Sequence, residues 1–314
     1  MREARPILVT GANGQVGAEL VRALQGLAPI VALDRYALDL ADLDAVRRVV
    51  RDVGPAVILN AGAYTAVDRA ESEEPLALRI NGDAPGVLAE EARRLGALLV
   101  HYSTDYVFDG SGDVPFREDE PTGPLNAYGR TKLAGERAVA AVGGMHLVFR
   151  TSWVYGANGS NFLLTMLRLA RERSTLNVVE DQVGAPTWSC TVAALTAHVI
   201  ARYYVECTEA RDWWQHHTGV YHLTNSGETS WFGFAQAILD ATNCKGVSVQ
   251  PISSDRYSTA AKRPHNSRLS NNKLFDVFGL CAPDWREALR GCLRDLAVTG
   301  GGVVPSGLDS GSLR

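Results

Sequence analysis

Short apolar segments alternate with amphipathic ones through the first half of this 314-residue chain. Five apolar segments, each bounded by glycines or polar residues, predict buried strands. They cover residues 6–10, 30–33, 56–59, 97–103 and 145–151. Helical patterns lie between them, at 18–24 and 43–51 among others. Strands that alternate with helices in this way predict an α/β fold with a doubly wound parallel sheet.

A glycine-rich loop follows the first predicted strand. Gly11, Gly14 and Gly17 are spaced G-x-x-G-x-x-G where the chain passes from strand to helix. Glycine lets the backbone turn tightly and approach a pyrophosphate, and a helix N-terminus offers N–H groups to an anion. Asp34 follows the second strand, where a carboxylate meets the ribose hydroxyls of an adenosine. The combination predicts a Rossmann-like sheet that binds a nicotinamide dinucleotide.

The residues leave the choice between NADH and NADPH open. Asp34 disfavours a 2'-phosphate by charge repulsion, whereas the adjacent Arg35 is able to bind one. Asp39 and Leu40 are placed to flank the adenine. Asp39 is equally suited to cap the helix at 43–51, so its role stays open as well.

Tyr128 and Lys132 form a candidate proton-transfer pair. In a helix they are one turn apart and share a face, so an ammonium lies beside a phenol. A phenol beside a fixed cation ionises more easily than one with the usual pKa near 10. The Tyr-x-x-x-Lys spacing often arises by chance, so its weight depends on its surroundings.

Those surroundings are the carboxyl edge of the predicted sheet, where ligands bind in doubly wound folds. Several candidate residues lie just past a predicted strand end: Gly11, Asp34, the small residues at 61–65, Thr104 and Trp153. Because parallel strands end at a common edge, we expect these residues to converge near Tyr128 and Lys132.

Longer motifs are spread over most of the chain, from Ile7 to about Leu296. They cover 14–17, 60–68, 101–110, 124–136, 149–155, 161–162, 165–170, 181–187 and 263–269. Through them the sequence resembles the extended short-chain dehydrogenase/reductase superfamily and, within it, the dTDP-4-dehydrorhamnose reductase family. The resemblance implies reduction of the C4 ketone of dTDP-4-dehydro-β-L-rhamnose to dTDP-L-rhamnose, with NADPH or NADH as the reductant.

The resemblance also implies roles for single residues. Tyr128 would donate the proton, Lys132 would lower the pKa of Tyr128 and hold the nicotinamide ribose, and Thr104 would hydrogen-bond the carbonyl oxygen. Asp105 and Trp153 would join Thr104 in contacting the substrate, although Asp105 is as readily an exposed turn carboxylate. The implied cofactor contacts are Gly11, Gly14, Gln15, Val16, Gly17, Asp34, Asp39, Leu40, Ala61, Gly62, Ala63, Thr65, Tyr102, Tyr128 and Lys132.

The domain division follows from the same likeness. We expect a dinucleotide-binding domain at 1–152 with a returning segment at about 187–222. A smaller α/β substrate-binding domain would take 153–186 and 223–298. Residues 299–314 are rich in Gly and Ser, which predicts a flexible tail.

The second half of the chain carries weaker signals. An amphipathic helix is predicted at 161–173, a returning helix at 191–204 and a strand at 220–223. The segment at 206–218, with adjacent tryptophans and adjacent histidines, is predicted to be a surface loop rather than a metal site. Arg263 and Arg268 are candidates for the substrate diphosphate, although surface arginines with no such role are more common.

Some relatives are magnesium-assisted dimers that use glutamates at the subunit interface. Glu19 matches one such position, but Cys190 stands where another glutamate is expected. We therefore predict no protein-bound metal, and leave Mg²⁺ on the substrate diphosphate, and a homodimer, as open possibilities.

Composition excludes several other classes. The net charge of −4 gives no support for a nucleic-acid surface, and no apolar stretch approaches the ~20 residues that span a bilayer. Five cysteines without C-x-x-C spacing indicate a reduced, cytoplasmic setting. Two alternatives remain: another 4-ketosugar-nucleotide reductase, for example of the dihydrostreptose type, and a non-catalytic NADP-binding regulatory relative.

Overall fold

The computed structural model describes residues 5–206, 210–244 and 246–299. Its strands are β1 (Ile7–Thr10), β2 (Ile30–Leu33), β3 (Val57–Asn60), β4 (Leu98–Thr104), β5 (His146–Thr151), β6 (Val154–Tyr155), β7 (Thr175–Val179), β8 (Val183–Gly184), β9 (Thr187–Trp188), β10 (Gly219–His222), β11 (Thr229–Ser230), β12 (Ser248–Ile252) and β13 (Asn266–Ser267).

Its α-helices are α1 (Gln15–Ala23), α2 (Leu43–Val53), α3 (Val67–Ala70), α4 (Glu74–Leu78), α5 (Ala84–Leu95), α6 (Ala127–Val142), α7 (Phe162–Glu172), α8 (Ser189–Glu206), α9 (Arg211–His216), α10 (Trp231–Ala241), α11 (Asn272–Phe278) and α12 (Trp285–Thr299). The predicted helices at 161–173 and 191–204 are thus confirmed as α7 and α8.

Six parallel strands form the central sheet, in the order β10-β5-β4-β3-β1-β2. Successive residues of a strand point to opposite faces, and both faces are apolar: Ile7 and Val9 pack into one core and Leu8 into the other. Helices α1 and α8 cover the first face, while α2, α5 and α6 cover the second. The predicted α/β fold with a doubly wound parallel sheet is confirmed.

A separate core lies in the later part of the chain. It packs Phe234 and Ile238 of α10 against Leu163 of α7 and Trp285 of α12. Pairs and triplets of short strands join this region, with β7 beside β12 and β8 between β11 and β13. Strand β10 returns to the central sheet, as expected for a returning segment, whereas the exact domain boundaries stay a prediction.

The surface-loop prediction for 206–218 is wrong. Residues Arg211–His216 form α9, and Trp214 is only 1% exposed. Its neighbour Trp213 stacks on His217 at 4.0 Å between ring centroids and lies under the guanidinium of Arg202. Burial of these indoles offsets the weak helical signal of the segment. Apart from Thr299, the predicted tail lies outside the described residues.

None of the helices in the described part of the chain combines the length and the apolar character that crossing a membrane requires.

Candidate active site

A cavity of about 600 Å³ lies at the carboxyl edge of the central sheet. Segments that follow β1, β2, β3, β4 and β5 all contribute to its wall. Of the residues predicted for the site, the cavity is lined by Gly11, Gly14, Gln15, Val16, Asp34, Asp39, Leu40, Ala61, Gly62, Ala63, Thr65, Tyr102, Thr104, Asp105, Tyr128, Lys132 and Trp153. Gly17 is the one implied cofactor contact that does not line it. The expected convergence on one sheet edge is therefore present.

The glycine loop is shaped for close backbone approach. Gly11 has a φ of +64°, and a Cβ there would lie 2.6 Å from the backbone of Gly62. A Cβ on Gly17 would lie 2.1 Å from the carbonyl oxygen of Gly11, so this glycine lets α1 pack against the loop. Gly14, the N-cap of α1, has no side chain that could accept from the N–H groups of the first turn, and that turn contains no acidic residue. This helix end fits the pyrophosphate of a dinucleotide.

Asp34 and Arg35 differ in how far their charges are already paired. The Asp34 carboxylate accepts hydrogen bonds from the side chain of Asn13 at 2.8 Å and from two backbone N–H groups in the following turn. Arg35 is exposed, lines the cavity, and has no ion pair with any residue in the described ranges. Asp39 does not cap α2, because Asp42 does; Asp39 accepts from the Ala41 N–H and lines the cavity, and its contact with the adenine stays a prediction.

Tyr128 lies on the first turn of α6 and faces the cavity. The pKa of Tyr128 is raised to about 12, chiefly by desolvation and also by the negative charge of Asp105, while a hydrogen bond with the Thr104 hydroxyl opposes the rise. Its ring packs edge-on against Tyr106, with 5.6 Å between centroids. The phenol therefore keeps its proton at neutral pH, as an acid in a reduction must.

Lys132 is 1% exposed, and its contacts differ from those expected. Its Nζ donates to the carbonyl oxygen of Tyr102 at 2.6 Å and lies 3.2 Å from Nε2 of His101. Burial lowers the pKa of Lys132 to about 8, and the charge of Glu136 opposes this. Lys132 is thus not among the groups that shift the pKa of Tyr128, and desolvation is the largest influence on it.

Thr104 and Asp105 form a buried pair at the end of β4. The Thr104 hydroxyl donates to Oδ1 of Asp105 at 3.0 Å and accepts from the Tyr106 N–H at 3.2 Å. Burial raises the pKa of Asp105 to about 6, and the hydroxyls of Ser267 and Thr104 limit the rise. Oδ2 of Asp105 lacks a regular hydrogen bond to any described residue. Asp105 is 2% exposed, so it is not the exposed turn carboxylate that was the alternative.

Trp153 adopts a left-handed backbone conformation, with a φ of +48°. Its indole stacks on that of Trp231, with 3.6 Å between centroids and 11° between planes. A non-glycine residue at positive φ costs energy, and such residues cluster at functional sites. Sequence reasoning missed Trp231, because only the fold brings the start of α10 to the cavity.

A second cavity, of about 750 Å³, adjoins the first and shares Tyr106 and Trp231 with it. Its wall includes the cations Arg173, Lys262 and Arg263. Arg263 forms a two-pronged salt bridge to Asp68, with its shorter contact at 2.7 Å. Arg268 lines neither cavity and pairs with Glu228, so the structure gives its predicted diphosphate role no support.

No cluster of three or more His, Cys, Asp or Glu side chains suited to a metal occurs within the described ranges. Glu19 is 6% exposed and pairs with Arg22 at 3.2 Å. Cys190, on the adjacent α8, is a free thiol, and burial raises its pKa.

Residues 5–298 match the family model described as the RmlD substrate binding domain. The dTDP-4-dehydrorhamnose reductase of Burkholderia thailandensis is 50% identical over 297 residues, which cover 92% of this chain and 98% of that protein. This chain belongs to the dTDP-4-dehydrorhamnose reductase family.

Other members of the family agree. The dTDP-4-dehydrorhamnose reductase of Escherichia coli K12 is 43% identical over 302 residues, which cover 93% of this chain and 98% of that protein. Among solved structures, the dTDP-4-dehydrorhamnose reductase of Bacillus anthracis in complex with NADP is 35% identical. Its TM-score is 0.85, with 93% of this chain and 99% of that chain covered. A nicotinamide cofactor thus accompanies this fold in a close structural relative.

Proposed function

We propose that this protein reduces the C4 ketone of dTDP-4-dehydro-β-L-rhamnose to dTDP-L-rhamnose at the expense of NADPH. The observation that carries the proposal is the meeting of Thr104, Tyr128 and Lys132 with the glycine loop at one cavity. A reduction of this kind needs a dinucleotide seat and a proton donor side by side, and family membership supplies the substrate class.

Tyr128 is the proposed proton donor. When bound, a reduced nicotinamide supplies a hydride to the carbonyl carbon, and the oxygen then needs a proton. An alkoxide is more basic than a phenolate, so transfer from Tyr128 is favourable even at a pKa of about 12. Lys132, one turn away and fully buried, is the proposed partner of the nicotinamide ribose.

Thr104 and Asp105 are proposed to orient the sugar. Since the Thr104 hydroxyl has one hydrogen and donates it to Asp105, it must rotate before it can donate to the substrate carbonyl. Oδ2 of Asp105, which makes no hydrogen bond of regular geometry to a described residue, is the proposed acceptor for a sugar hydroxyl. Trp153 and Trp231 offer flat apolar faces for the hexose ring.

The second cavity is the proposed seat of the thymidine diphosphate. It adjoins the first at Tyr106 and Trp231, and Arg173 and Lys262 on its wall carry exposed positive charge. This supports the division in which 153–186 and 223–298 bind substrate, since the wall outside Tyr106 comes from these segments.

NADPH is proposed over NADH because of Arg35. This guanidinium has no ion pair within the described chain, whereas three donors already surround the Asp34 carboxylate. A 2'-phosphate would gain a charge-assisted partner in Arg35.

The test is direct reduction of the proposed substrate. Freshly made dTDP-4-dehydro-β-L-rhamnose is incubated with the protein and NADPH, and the absorbance of the reduced nicotinamide and the sugar product are followed. We expect cofactor oxidation matched by dTDP-L-rhamnose. No oxidation with NADPH or NADH would contradict the proposal, and oxidation with a different dTDP-4-ketosugar alone would reassign the substrate.

A further inference from the structure

A row of four buried polar side chains lies beneath the active-site cavity. Thr10, Asn60 and His101 are register neighbours on β1, β3 and β4, and Lys132 meets the row from α6. Each of the four is 1% exposed. Burial of four polar groups is costly unless each is hydrogen-bonded, so their connections matter.

The four groups are joined end to end. Oγ1 of Thr10 donates to Oδ1 of Asn60 at 2.7 Å, and Nδ2 of Asn60 lies 3.0 Å from Nδ1 of His101. Nε2 of His101 lies 3.2 Å from Nζ of Lys132, which donates to the Tyr102 carbonyl. The histidine is thus held at both ring nitrogens.

The two ring nitrogens of His101 can be satisfied in two ways. If Nδ2 of Asn60 donates to Nδ1, a neutral His101 carries its hydrogen on Nε2, and Nζ must accept it as an uncharged amine. If Lys132 is an ammonium, Nε2 must accept and Nδ1 must donate. The Asn60 amide then turns so that its oxygen faces His101 and its nitrogen faces Thr10.

We propose that His101 is a positioning residue for Lys132, and that its tautomer changes together with the protonation of Nζ. When Lys132 loses or gains a proton, the imidazole hydrogen changes from one ring nitrogen to the other and the Asn60 amide turns over. No group has to move into the cavity. The lysine keeps its place at the cavity wall in both states.

Few other charged groups lie near His101 and Lys132. Glu136 lies one turn further along α6, and its carboxylate is committed to Arg150 of β5 at 2.7 Å. Tyr128 lies one turn before Lys132, and the π-helical segment Arg79–Asp83 contributes the uncharged Asn81, which bonds to Thr131. Burial and the charge of Lys132 hold the pKa of His101 well below its usual range, so the imidazole stays neutral through the change.

His222 offers a matched comparison in the same sheet. It is 0% exposed on β10, and neither ring nitrogen makes a hydrogen bond of regular geometry to a described residue, although backbone groups of Ser270 and Phe116 lie close enough to raise its pKa. Burial lowers the pKa of His222 to about 3. It shares burial and neutrality with His101, but no lysine Nζ lies within hydrogen-bond distance of its ring; Arg150 and Lys273 act on it only through their charges.

The test is side-chain ¹⁵N NMR of the histidine-labelled protein without substrate or cofactor, recorded from pH 6.5 to 9.5. The His101 signal is assigned by its loss in His101→Gln. We expect a change from the Nδ1–H to the Nε2–H tautomer as the pH rises through the titration of Lys132. His222 should keep one tautomer throughout, and Lys132→Met should leave His101 unchanged with pH.

A single His101 tautomer across the range in the wild-type protein would overturn the proposal, as would the same change in Lys132→Met. Because no substrate is involved, the result is independent of the proposed reductase activity. In steady-state assays, His101→Gln should lower kcat about tenfold and displace its pH profile, since one hydrogen bond to a charged group is altered. Unchanged kcat and pH profile would also count against the positioning role, and His222→Gln serves as the control.

Discussion

The two cavities of the candidate site are built differently. The first cavity takes its wall from short runs of residues directly after β1, β2, β3, β4 and β5, so one sheet edge gathers them. The second cavity takes separate contributions from α7, from β7 and from 254–265, which no single sheet aligns. Because parallel strands end at one edge of the sheet, the short motifs that follow them meet in a common site. The residues of the second cavity are not brought together in this way.

Electrostatics separates the two cavities as well. Around the first, desolvation is the largest influence on the pKa of Asp105, Tyr128 and Lys132, and each is shifted toward its neutral form. Around the second, Arg173 and Lys262 are exposed to solvent. The first cavity is therefore suited to proton transfer, and the second is suited to binding a negatively charged group.

The largest expected effect comes from removing the proposed acid. Tyr128→Phe should lower kcat by about two to four powers of ten, because a positioned acid typically contributes that much, while NADPH affinity changes little. Stopped-flow reduction and fluorescence titration of NADPH measure the two quantities. Tyr106→Phe, which alters the adjacent ring, is the control. A variant with near wild-type turnover would remove Tyr128 from the proton-donor role.

The buried carboxylate of Asp105 is expected to lower the free energy of unfolding at neutral pH. Its folded-state pKa of about 6 lies above the unfolded value, so the folded protein binds this proton more tightly. Stability from this group is present at pH values below the unfolded pKa and is lost as the pH rises through about 6. Asp105→Asn should raise the free energy of unfolding at pH 7 by about 1–2 kcal/mol, because an amide avoids the buried charge.

Urea denaturation at pH 7 and pH 4 measures this gain, which should nearly vanish at pH 4. Asp109→Asn is the matched control with the opposite sign, because hydrogen bonds from Ser111 lower the pKa of exposed Asp109. An Asp105→Asn protein less stable than wild type at pH 7 would show that the carboxylate is better accommodated than its burial indicates.

The first cavity was largely predictable, since its strands are continuous apolar runs with polar residues at their ends. The predicted strand 30–33 is β2 itself, and the segment 97–103 differs from β4 by one residue at each end. Such runs identify a buried parallel sheet from local sequence alone, and the motifs follow the strand ends.

The residues that sequence reasoning missed depend on register and on distant segments. Thr10, Asn60 and His101 stand in three separate strands, and only the pairing of β1, β3 and β4 aligns them. Trp231 begins a helix of the later core, and nothing near it in sequence indicates an active site. The pKa of Tyr128 was misjudged for a related reason, because burial is a property of the packed cavity.

Arg35, on the wall of the first cavity, tests the proposed cofactor preference. Arg35→Ala should raise the KM for NADPH about tenfold and leave that for NADH nearly unchanged, since a charged hydrogen bond to the 2'-phosphate is lost. Initial rates with both cofactors measure the ratio. Arg48→Ala, an exposed arginine of α2 that lines neither cavity, controls for net charge. Equal effects on both cofactors would mean that Arg35 contacts a part common to the two.

Trp231 lines both cavities, so a change there tests whether substrate binding and cofactor binding can be altered separately. Trp231→Leu removes the stack that supports the strained backbone of Trp153, and an aromatic pair of this kind is worth about 0.5–1.5 kcal/mol. We expect the KM for the dTDP-sugar to rise about fivefold while the KM for NADPH stays constant. Trp213→Leu, an indole stacked on His217 away from both cavities, is the control. If the KM for NADPH rose by a similar factor, the two cavities would not bind cofactor and substrate separately. The proposed assignment of one ligand to each cavity would then be wrong.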